Sequence, residues 1–477
     1  MPYTQFITKY GEYIMKNNTP TKTTSTYNIM MVGFLASLAG LMFGLDIGVM
    51  SGANAFIKHE FSASDHDIET IVSSMMFGAA IGALGCGWAS AKFGRNRCLI
   101  LSALIFIVSA IGCALAQGII DLAIWRFILG LAIGIASTTA PLYIAEIAPE
   151  EKRGSMISTY QLMVTVGILL AFISDTILGY YSAWRWMLGI IAVPAILFLI
   201  GLFSLPDSPR WLVMRNRRQE AYDILLSLRG GNEHIAQKEV EEIEEQIKSP
   251  KKGFSLFMSN RNFRRSVGLG ITLQIVQQFT GMNVVMYYAP RIFSDMGYQG
   301  SATLWFTALV GLVNVAATFI AIGTCDKLGR KPTLYAGFAV MAVGLGVISF
   351  LMRNGNIADP TMQLFCVAML LFFIVGFAMS AGPLVWTICS EIQPLQGRDF
   401  GVAASTVTNW LANFVVGYTF LTLNNNLGSS HTFLLYAILN VIFIAVTFWF
   451  IPETSKVSLE KIEENLMAGK PLRKIGR

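Results

Sequence analysis

Apolar and polar stretches alternate along nearly the whole chain. From residue 28 onward, apolar runs of about 20 residues or more are separated by short polar loops, and a helix of that length can span a bilayer. The pattern locates the ends of such runs to within about 2–4 residues. The runs lie near residues 28–56, 68–90, 97–117, 119–145, 157–179, 184–205, 266–289, 301–325, 332–353, 361–389, 400–422 and 431–451. We therefore predict an all-α membrane protein with twelve transmembrane helices.

Composition supports a membrane protein. Hydrophobic residues make up 54% of the 477 residues and charged residues 13%, whereas soluble domains carry about 25% charged residues. The short alternating pattern of a membrane β-barrel is absent from the sequence. The polar start from Met1 to Tyr27 has no signal-peptide pattern, so the first span is expected to direct insertion itself.

The positive charges are confined to alternate loops. The net charge is +6, which by itself would be compatible with nucleic-acid binding. The Lys and Arg residues, however, collect at Lys92, Arg95, Arg97, Lys152, Arg153, the segment 206–265, Lys327, Arg330, Lys331, Arg398 and the tail from Lys456 to Arg477. Because loops rich in Lys and Arg stay on the cytoplasmic side, both termini and the central loop are predicted to be cytoplasmic, and no nucleic-acid partner is expected.

Three loop motifs occur twice, in the same order and at nearly equal offsets. The pairs are Phe93–Arg95 with Leu328–Arg330, Glu146–Arg153 with Glu391–Arg398, and Pro206–Ser208 with Pro452–Thr454. Repeats of this kind indicate two parallel halves that pack face to face around a substrate site near the bilayer midplane. We predict an N-terminal tail (1–27), a six-helix half (28–205), a cytoplasmic linker with short amphipathic helices (206–265), a second six-helix half (266–451) and a C-terminal tail (452–477).

The first span contains an acidic residue and a regular glycine pattern. Gly40, Gly44, Gly48 and Gly52 are four residues apart, so they form one smooth helix face that a neighbouring helix can approach closely. Asp46 points away from this face. A carboxyl group inside the membrane is costly and indicates function by default. The alternative is a structural charge held in a permanent pair.

A second charge lies in the fourth span. Arg126 shares a helix face with Gly130 and Gly134 and can pair with Asp46. Arginine stays protonated, whereas aspartic acid can gain or lose a proton as burial and the nearby arginine compete. The pair is therefore a candidate proton relay, and a static ion pair is the alternative.

Amide and aromatic side chains recur on the faces of several spans. Gln277 and Asn283 would face apart on an unbroken helix, but a break at Gly281 would bring them to one cavity, and Pro383 predicts a second break. Amides both donate and accept hydrogen bonds, which suits the hydroxyl groups of a neutral sugar. For any one of these amides, a hydrogen bond between helices is an equally good explanation. The candidate residues are Gln161, Gln274, Gln277, Gln278, Asn283, Asn314, Gly382, Trp386, Asn409, Trp410 and Asn413.

The motifs together resemble the sugar porters of the major facilitator superfamily over about residues 28–477. They are Gly40–Ala53, Phe93–Arg97, Pro206–Leu212, Gln277–Asn283, Asp326–Pro332 and Pro452–Thr454. Within that family, the segments Gly376–Pro383, Ser390–Pro394, Gly397–Gly401 and Ser458–Gly476 are most similar to the galactose–proton symport branch. The resemblance implies the major facilitator fold and import of a neutral hexose with a proton by alternating access, across the inner membrane.

The resemblance also implies residue roles. Asp46 would accept the proton and Arg126 would modulate it, with H⁺ as coupling ion and no other cofactor. The sugar would contact Gln161, Gln277, Gln278, Asn283, Asn314, Gly382, Trp386, Asn409 and Trp410. A cytoplasmic latch would consist of Gly94, Arg95, Arg97, Glu146, Arg153, Arg330, Glu391 and Arg398. The family motif often has Asp where this chain has Ala91, so the first-half latch is expected to be weaker or to depend on Glu146 and Arg153.

Galactose, with glucose as a second substrate, is the expected sugar, and Asn314 and Gly382 fit the galactose branch. An arabinose–proton symporter and a passive sugar uniporter are the alternatives.

An enzyme is not expected, because no nucleophile–base pair or metal cluster is visible. The six cysteines lie in or beside predicted spans without CxxC spacing, so no disulfide framework or zinc site is expected. The partners implied are a monosaccharide, protons, the lipid bilayer and a regulatory protein docking on the linker.

Overall fold

The computed structural model describes residues 28–248, 253–353, 359–394, 397–455 and 457–476. Within these ranges, the side chains of residues 150–155, 246–248, 322–327 and 460 are outside the description. The predicted N-terminal tail, 1–27, also lies outside the described residues.

The first half consists of long helices joined by tight turns. Asn28 caps the first helix through its side chain, and Ser64 and Asp67 form a reciprocal capping box at the second, which satisfies free N–H groups at the helix starts. The helices are α1 (Ile29–Glu60), α2 (Asp65–Phe93), α3 (Arg95–Leu115), α4 (Ile119–Ile147), α5 (Glu150–Gly179), α6 (Trp184–Ile190) and α7 (Ala192–Leu202). The last two together form the sixth span.

The linker carries four short helices, and the predicted amphipathic pattern is present. These are α8 (Pro209–Met214), α9 (Arg218–Leu228), α10 (Glu233–Lys248) and α11 (Gly253–Ser259). Apolar side chains of α8, α9 and α10 form a small core of their own, which includes Trp211, Leu225 and Val240. The apolar faces of these helices are therefore largely occupied by one another, and a regulatory partner at the linker stays a prediction.

The second half repeats the helical pattern, with two of its spans broken. Its helices are α12 (Arg261–Phe279), α13 (Met282–Asp295), α14 (Ser301–Leu328), α15 (Arg330–Arg353), α16 (Pro360–Met379), α17 (Ala381–Glu391), α18 (Arg398–Leu427) and α19 (Ser429–Phe450). The tail adds α20 (Leu459–Met467) and a short 3₁₀ helix at Leu472–Lys474. Asn262 fastens the tail to α12 by donating to the carbonyl of Met467 at 2.9 Å.

Ten spans in the described part of the chain are long and apolar enough to cross a membrane by composition alone. The other two predicted spans are α12 with α13, and α18. They fall short because they carry amide side chains within the membrane, among them Gln277, Asn283 and Asn409. These amide side chains must therefore face protein or a polar cavity rather than lipid.

The glycine face of α1 packs directly on α5, as predicted. A Cβ atom added at Gly44 would lie 1.9 Å from the carbonyl oxygen of Val164, and one at Gly40 would lie 2.5 Å from that of Tyr160. Gly167 of α5 approaches the backbone of α1 just as closely, because a Cβ there would lie 2.3 Å from the carbonyl oxygen of Leu41. Backbone meets backbone along this interface, which fixes the position of Asp46 on the opposite side of α1.

The two halves meet through two equivalent helix pairs. α2 packs on α18, and α5 packs on α14. Under the sequence repeat, α2 corresponds to α14 and α5 to α18, so each pair is the image of the other. α1 contacts α13 between them. This is the packing expected of two parallel repeats around a central axis.

Replacing Gly44 with Ala should destabilise the protein by about 1–3 kcal/mol, because the added methyl group meets backbone that cannot move away cheaply. The measurement is the thermal unfolding temperature of the purified protein in detergent, which should fall.

Gly87→Ala is the matched control, since nothing lies within 4 Å of a Cβ at that position on α2. This variant should be neutral or stabilised by up to about 1 kcal/mol. Equal unfolding temperatures for the two variants would contradict the close α1–α5 packing.

Candidate functional site

The seventh span breaks at Gly281, where the sequence predicts it. Gly281 has φ 91° and ψ 5°, a left-handed conformation that glycine adopts without steric cost. α12 ends at Phe279 and α13 begins at Met282. The break turns Asn283 towards α12, and its amide donates to the Gln278 side-chain oxygen at 2.6 Å.

The tenth span breaks at Ser380, three residues before the predicted position at Pro383. Ser380 has φ −132° and ψ −89°, α16 ends at Met379, and α17 begins at Ala381. A proline is tolerated within the first turn of a helix, but its ring clashes with the carbonyl group four residues earlier. Pro383 therefore ends the preceding helix at Met379 while remaining inside α17.

A central cavity of about 140 Å³ lies between the halves at these breaks. α1 and α5 form its wall on the first half, and α12 to α14, α16, α17 and α18 form the wall on the second half. All the predicted sugar-contact residues except Trp410 line it, namely Gln161, Gln277, Gln278, Asn283, Asn314, Gly382, Trp386 and Asn409. The structure thus brings eight of the nine residues to one place, although their role in binding stays a prediction.

Trp410 lies behind the cavity wall. Its ring is buried and packs edge-on against Phe43 of α1, with ring centroids 5.2 Å apart. Phe43 itself lines the cavity. Trp410 therefore supports a cavity-lining aromatic ring from the other half of the molecule.

Most of the cavity amides are bonded to one another. Asn409 donates to the side-chain oxygens of Gln274 at 2.6 Å and Gln277 at 2.8 Å. Gln277 in turn donates to the carbonyls of Ala381 at 2.8 Å and Gly382 at 3.1 Å, which are near the break in the tenth span. The network ties α12, α17 and α18 together, so these amides hold the shape of the cavity.

Two amide side chains of the cavity are not part of this network. Gln161 of α5 and Asn314 of α14 line the cavity from opposite halves. Within the described part of the chain, neither side chain has a hydrogen-bond partner, and neither has a fully enclosed polar atom left unsatisfied. Their donors and acceptors are therefore available to a ligand between the halves.

Asp46 and Arg126 form the predicted ion pair. Nη1 of Arg126 donates to Oδ1 of Asp46, and both side chains are fully buried. Nε and Nη2 of Arg126 and Oδ2 of Asp46 have no partner. A buried pair with unsatisfied atoms on both sides is a costly arrangement, which favours a functional role over a merely structural one.

The ion pair is linked to the cavity through α13 and α18. Asn413 lines the cavity and donates to the hydroxyl of Tyr287 at 3.4 Å. Tyr287 is buried on α13, which packs against α1, the helix that carries Asp46. Ile47, the residue after Asp46, also lines the cavity. A change of charge at Asp46 can therefore affect the residues of the cavity wall.

The charged loop motifs pair within each half. Arg95 donates to Glu146 at 2.8 Å, and Ser208 of the linker donates to the second oxygen of Glu146. Gly94, with φ 98°, packs against the ring of Trp211. Arg97 is exposed on the same surface. The Arg153 side chain lies outside the described residues, so the contact predicted for it is not tested.

The second half repeats this arrangement. Arg330 lies 3.5 Å from Glu391, and Arg398 donates to the carbonyl of Gln393 at 3.5 Å. Glu453 accepts from the backbone N–H groups of Arg330 at 2.9 Å and Lys331 at 3.0 Å, which caps α15. The tail motif thus secures the start of a helix, as an acidic group does at a helix N-terminus.

The hydrogen bonds that the structure describes between the two halves lie at the end of the molecule opposite the linker, which we call the outer end. Thr176 donates to the carbonyl of Leu304 at 3.2 Å, and Asn54 donates to the carbonyl of Tyr287 at 3.0 Å. Asn425 donates to Asp65 at 2.6 Å. The outer end is therefore closed.

Glu69 of α2 makes the strongest of these contacts. Its carboxylate accepts from the backbone N–H of Thr422 at 2.7 Å and from the Thr422 hydroxyl at 2.6 Å, and it is fully buried. Beside it, the rings of His66 and Tyr418 pack edge-on with centroids 5.2 Å apart. We call Glu69, His66, Tyr418 and Thr422 the outer clasp.

A larger cavity of about 600 Å³ lies at the outer end, lined by α1, α2, α5, α13, α14 and α18. Its lining is mostly apolar, and the converging amides lie in the smaller central cavity. Since a sugar needs several hydrogen-bond partners in one place, the central cavity is the better candidate for binding.

The sequence analysis missed some residues of the central cavity and of the outer clasp. Phe43, Ser158 and Thr318 line the central cavity, but small hydroxyl and aromatic side chains are common in all the spans and carry no distinct signal. Glu69 was missed because it lies in the acidic loop before the second span, where a carboxylate is unremarkable. Its only signal is its position inside the first turns of an apolar helix.

Comparison with known proteins identifies the family. The family described as "Sugar (and other) transporter" matches residues 32–466. The galactose-proton symporter of Escherichia coli K12 is 57% identical over 446 residues, covering 93% of this chain and 96% of that protein. The arabinose-proton symporter of the same strain is 51% identical over 451 residues, covering 94% and 95%.

Solved structures agree with this result. The partially occluded inward-open form of the xylose transporter XylE from E. coli matches with a TM-score of 0.79 and 29% identity, covering 90% of this chain and 99% of that one. The proton:xylose symporter XylE bound to 6-bromo-6-deoxy-D-glucose matches with a TM-score of 0.78 and 30% identity, covering 94% and 99%. The predicted twelve-helix fold is confirmed.

Replacing Glu69 with Gln should open the outer end. A neutral amide accepts a weaker hydrogen bond than a carboxylate, and bonds to charged groups contribute about 1.5–3 kcal/mol each. We expect a cysteine introduced at Ser294, which lines the outer cavity, to react at least several-fold faster with a polar thiol reagent in the Glu69→Gln background.

Asp359→Asn is the control, since Asp359 is an exposed cap at the start of α16 and bonds only within its own half. Its reaction rate should equal that of the parent. No acceleration in Glu69→Gln would show that the outer clasp does not hold the halves together.

Proposed function

The chain belongs to the sugar transporter family, and we propose that it imports a neutral hexose, galactose and also glucose, together with a proton by alternating access. It is a multi-pass membrane protein. The single observation that carries the proposal is the buried Asp46–Arg126 pair beside a central cavity lined by amides of both halves. The higher identity to the galactose-proton symporter than to the arabinose-proton symporter supports galactose.

The sugar binds between the halves in the central cavity. Gln161 and Asn314 supply hydrogen bonds from opposite sides, and the network of Gln277 and Asn409 provides further acceptors and donors at the wall. Trp386 contributes an aromatic face, which suits the apolar side of a sugar ring. Because the two halves contribute separate partners, a bound sugar holds them together at the midplane while either end opens.

The proton binds at Asp46. When Asp46 is ionised, it pairs with Arg126, and when it is protonated, Arg126 loses its charged partner and turns to other acceptors. Ionised and neutral Asp46 thus favour different packing of α1 against α4. That difference links proton binding to the movement of the halves, since a ligand shifts an equilibrium only by its differential affinity for the two states.

The orientation of the protein in the membrane follows from the distribution of its positive charges. The Lys- and Arg-rich loops and the linker lie at one end, so this end faces the cytoplasm by the positive-inside rule, and both termini are cytoplasmic in a cell inner membrane. The outer end then faces the exterior. The Arg95–Glu146 and Arg330–Glu391 pairs serve as the cytoplasmic latch and rearrange as the inner end opens and closes.

Sugar addition to cells or vesicles should make a weakly buffered medium more alkaline. Galactose and glucose should produce this signal, and arabinose and xylose should produce less. A pH electrode with labelled sugar uptake measures both effects. Uptake without alkalinisation would indicate a passive uniporter, and the strongest signal from arabinose would indicate the arabinose alternative.

Asp46→Asn should abolish accumulation of sugar against a gradient while leaving exchange of labelled for unlabelled sugar measurable. The amide keeps the shape of the side chain but cannot bind and release a proton. Asp359→Asn, at an exposed position, should accumulate sugar normally. Accumulation by the Asp46→Asn protein would remove Asp46 from the coupling mechanism.

Gln161→Met and Asn314→Leu should each raise the KM for galactose about three- to tenfold, since one hydrogen bond contributes about 0.5–1.5 kcal/mol. The double variant should show the product of the two effects if one sugar contacts both residues without strong coupling. Gln237→Met, on the exposed surface of α10, is the matched control and should leave KM unchanged. An unchanged KM in both cavity variants would place the sugar elsewhere.

A further inference from the structure

Asp175 of α5 is a second buried carboxyl group, and the coupling pair does not use it. It is 1% exposed and faces Gly52 on the glycine face of α1. A Cβ atom at Gly52 would lie 2.3 Å from Oδ2 of Asp175, so the carboxyl group fits against bare backbone. Its sequence signal, a lone acidic residue within an apolar span, is the same as that of Asp46.

The contacts of Asp175 are too few for a carboxylate. Oδ2 accepts from the N–H of Gly52 at 3.2 Å, and Oδ1 has no partner. Gly52 lies inside α1, where backbone N–H groups already donate to carbonyl groups of the same helix. An ionised carboxylate with this little support inside a membrane protein would be strongly destabilised.

The charged groups on the elements packed against α5 are engaged elsewhere. On α1, Asp46 pairs with Arg126 of α4, Lys58 pairs with Asp65, and Glu60 pairs with Arg185 near the start of α6. The other charges of α4 lie at its ends, where Asp121 accepts from the Gln117 backbone and Glu146 pairs with Arg95. Residues 301–321 of α14 carry no charge. Among the described residues, no cation compensates Asp175.

Asp175 is nonetheless close to the outer cavity. Its neighbours Ser51, Gly52 and Thr176 line that cavity. The hydrogen bonds of Thr176 to Leu304 and of Asn54 to Tyr287 join the two halves beside it. When the outer end opens, these bonds separate and water can reach the carboxyl group.

We infer that Asp175 is a second proton-binding site, which takes a proton from outside water as the outer end closes, holds it while that end is closed and releases it when that end opens. On opening, the O–H bond of the acid breaks, the proton passes to water in the outer cavity, and the electron pair stays on the carboxylate. On closing, the reverse occurs. This proton returns to the side from which it came, so it is not the transported one.

Asp175 permits closure only when it is neutral, because in the closed form its only described hydrogen bond comes from the Gly52 N–H and its Oδ1 has no partner. Closure of the outer end is therefore favoured at lower external pH and lost as the pH rises.

The test measures closure directly and without sugar. Spin labels on cysteines introduced at Gln117 and His431, exposed residues at the outer ends of the two halves, report the distance between the halves in lipid nanodiscs. The native cysteines that the structure describes are buried. In the parent, the open-to-closed ratio should rise up to about tenfold per pH unit on the alkaline side, as expected for linkage to one proton. In Asp175→Asn the rise should be less than about twofold per pH unit.

Asp121→Asn removes a half-buried carboxyl group at the same end and should keep the parental slope. Asp175→Ser, which is neutral and smaller, repeats the measurement if the amide is not tolerated. A parental slope in either folded Asp175 variant, or no alkaline opening in the parent, would overturn the inference. Because no sugar is present, neither result bears on the transported substrate, and making both measurements in the Asp46→Asn background removes any contribution of the coupling pair.

Discussion

The cost of burying charge inside a membrane governs this structure. Asp46 and Arg126 are both fully buried and neutralise each other, yet three of their polar atoms lack partners. Such a pair persists only if the helices around it are held firmly, because its own net contribution to stability is small or unfavourable. The backbone contact between the glycine face of α1 and α5 provides that support. The pair that we propose as the proton site is therefore held in place by an interface that resists disruption.

The same constraint shapes the central cavity. A buried amide without partners is costly, and the amides of Gln274, Gln277 and Asn409 satisfy one another across three elements. Gln161 and Asn314 line the cavity without such partners among the described residues. Since these two come from opposite halves, a sugar bound to both, as we propose, would connect the halves and link recognition to movement.

Much of this could be predicted from sequence, and the reasons for the failures are physical. The break at Gly281 and the glycine face of α1 follow from local rules on glycine. The second break was placed at Pro383 and lies at Ser380, because proline acts on the carbonyl four residues earlier rather than on its own position. Glu69 stands out only through its tertiary contact with Thr422, which no helical periodicity shows. Asp175 has the same sequence signal as Asp46, but its contact with Gly52 does not follow from that signal. Trp410 was expected in the sugar site and lies behind it against Phe43, since one helix face cannot distinguish the first layer around a cavity from the second.

The two ends of the molecule differ in the bonds that they contain, and this explains how one set of helices can alternate between opening at the outer end and opening at the inner end. At the inner end, the described ion pairs of Glu146 and Glu391 join residues of the same half, so these pairs do not cross between the halves. At the outer end, the described hydrogen bonds of Glu69, Asn54 and Thr176 cross between the halves and must break when that end opens. Each bond contributes only about 0.5–3 kcal/mol, within the range that binding of a proton and a sugar can offset. Outer opening is thus a change in a few specific bonds around rigid six-helix units, and the energy of that change is small enough for the ligands to control it.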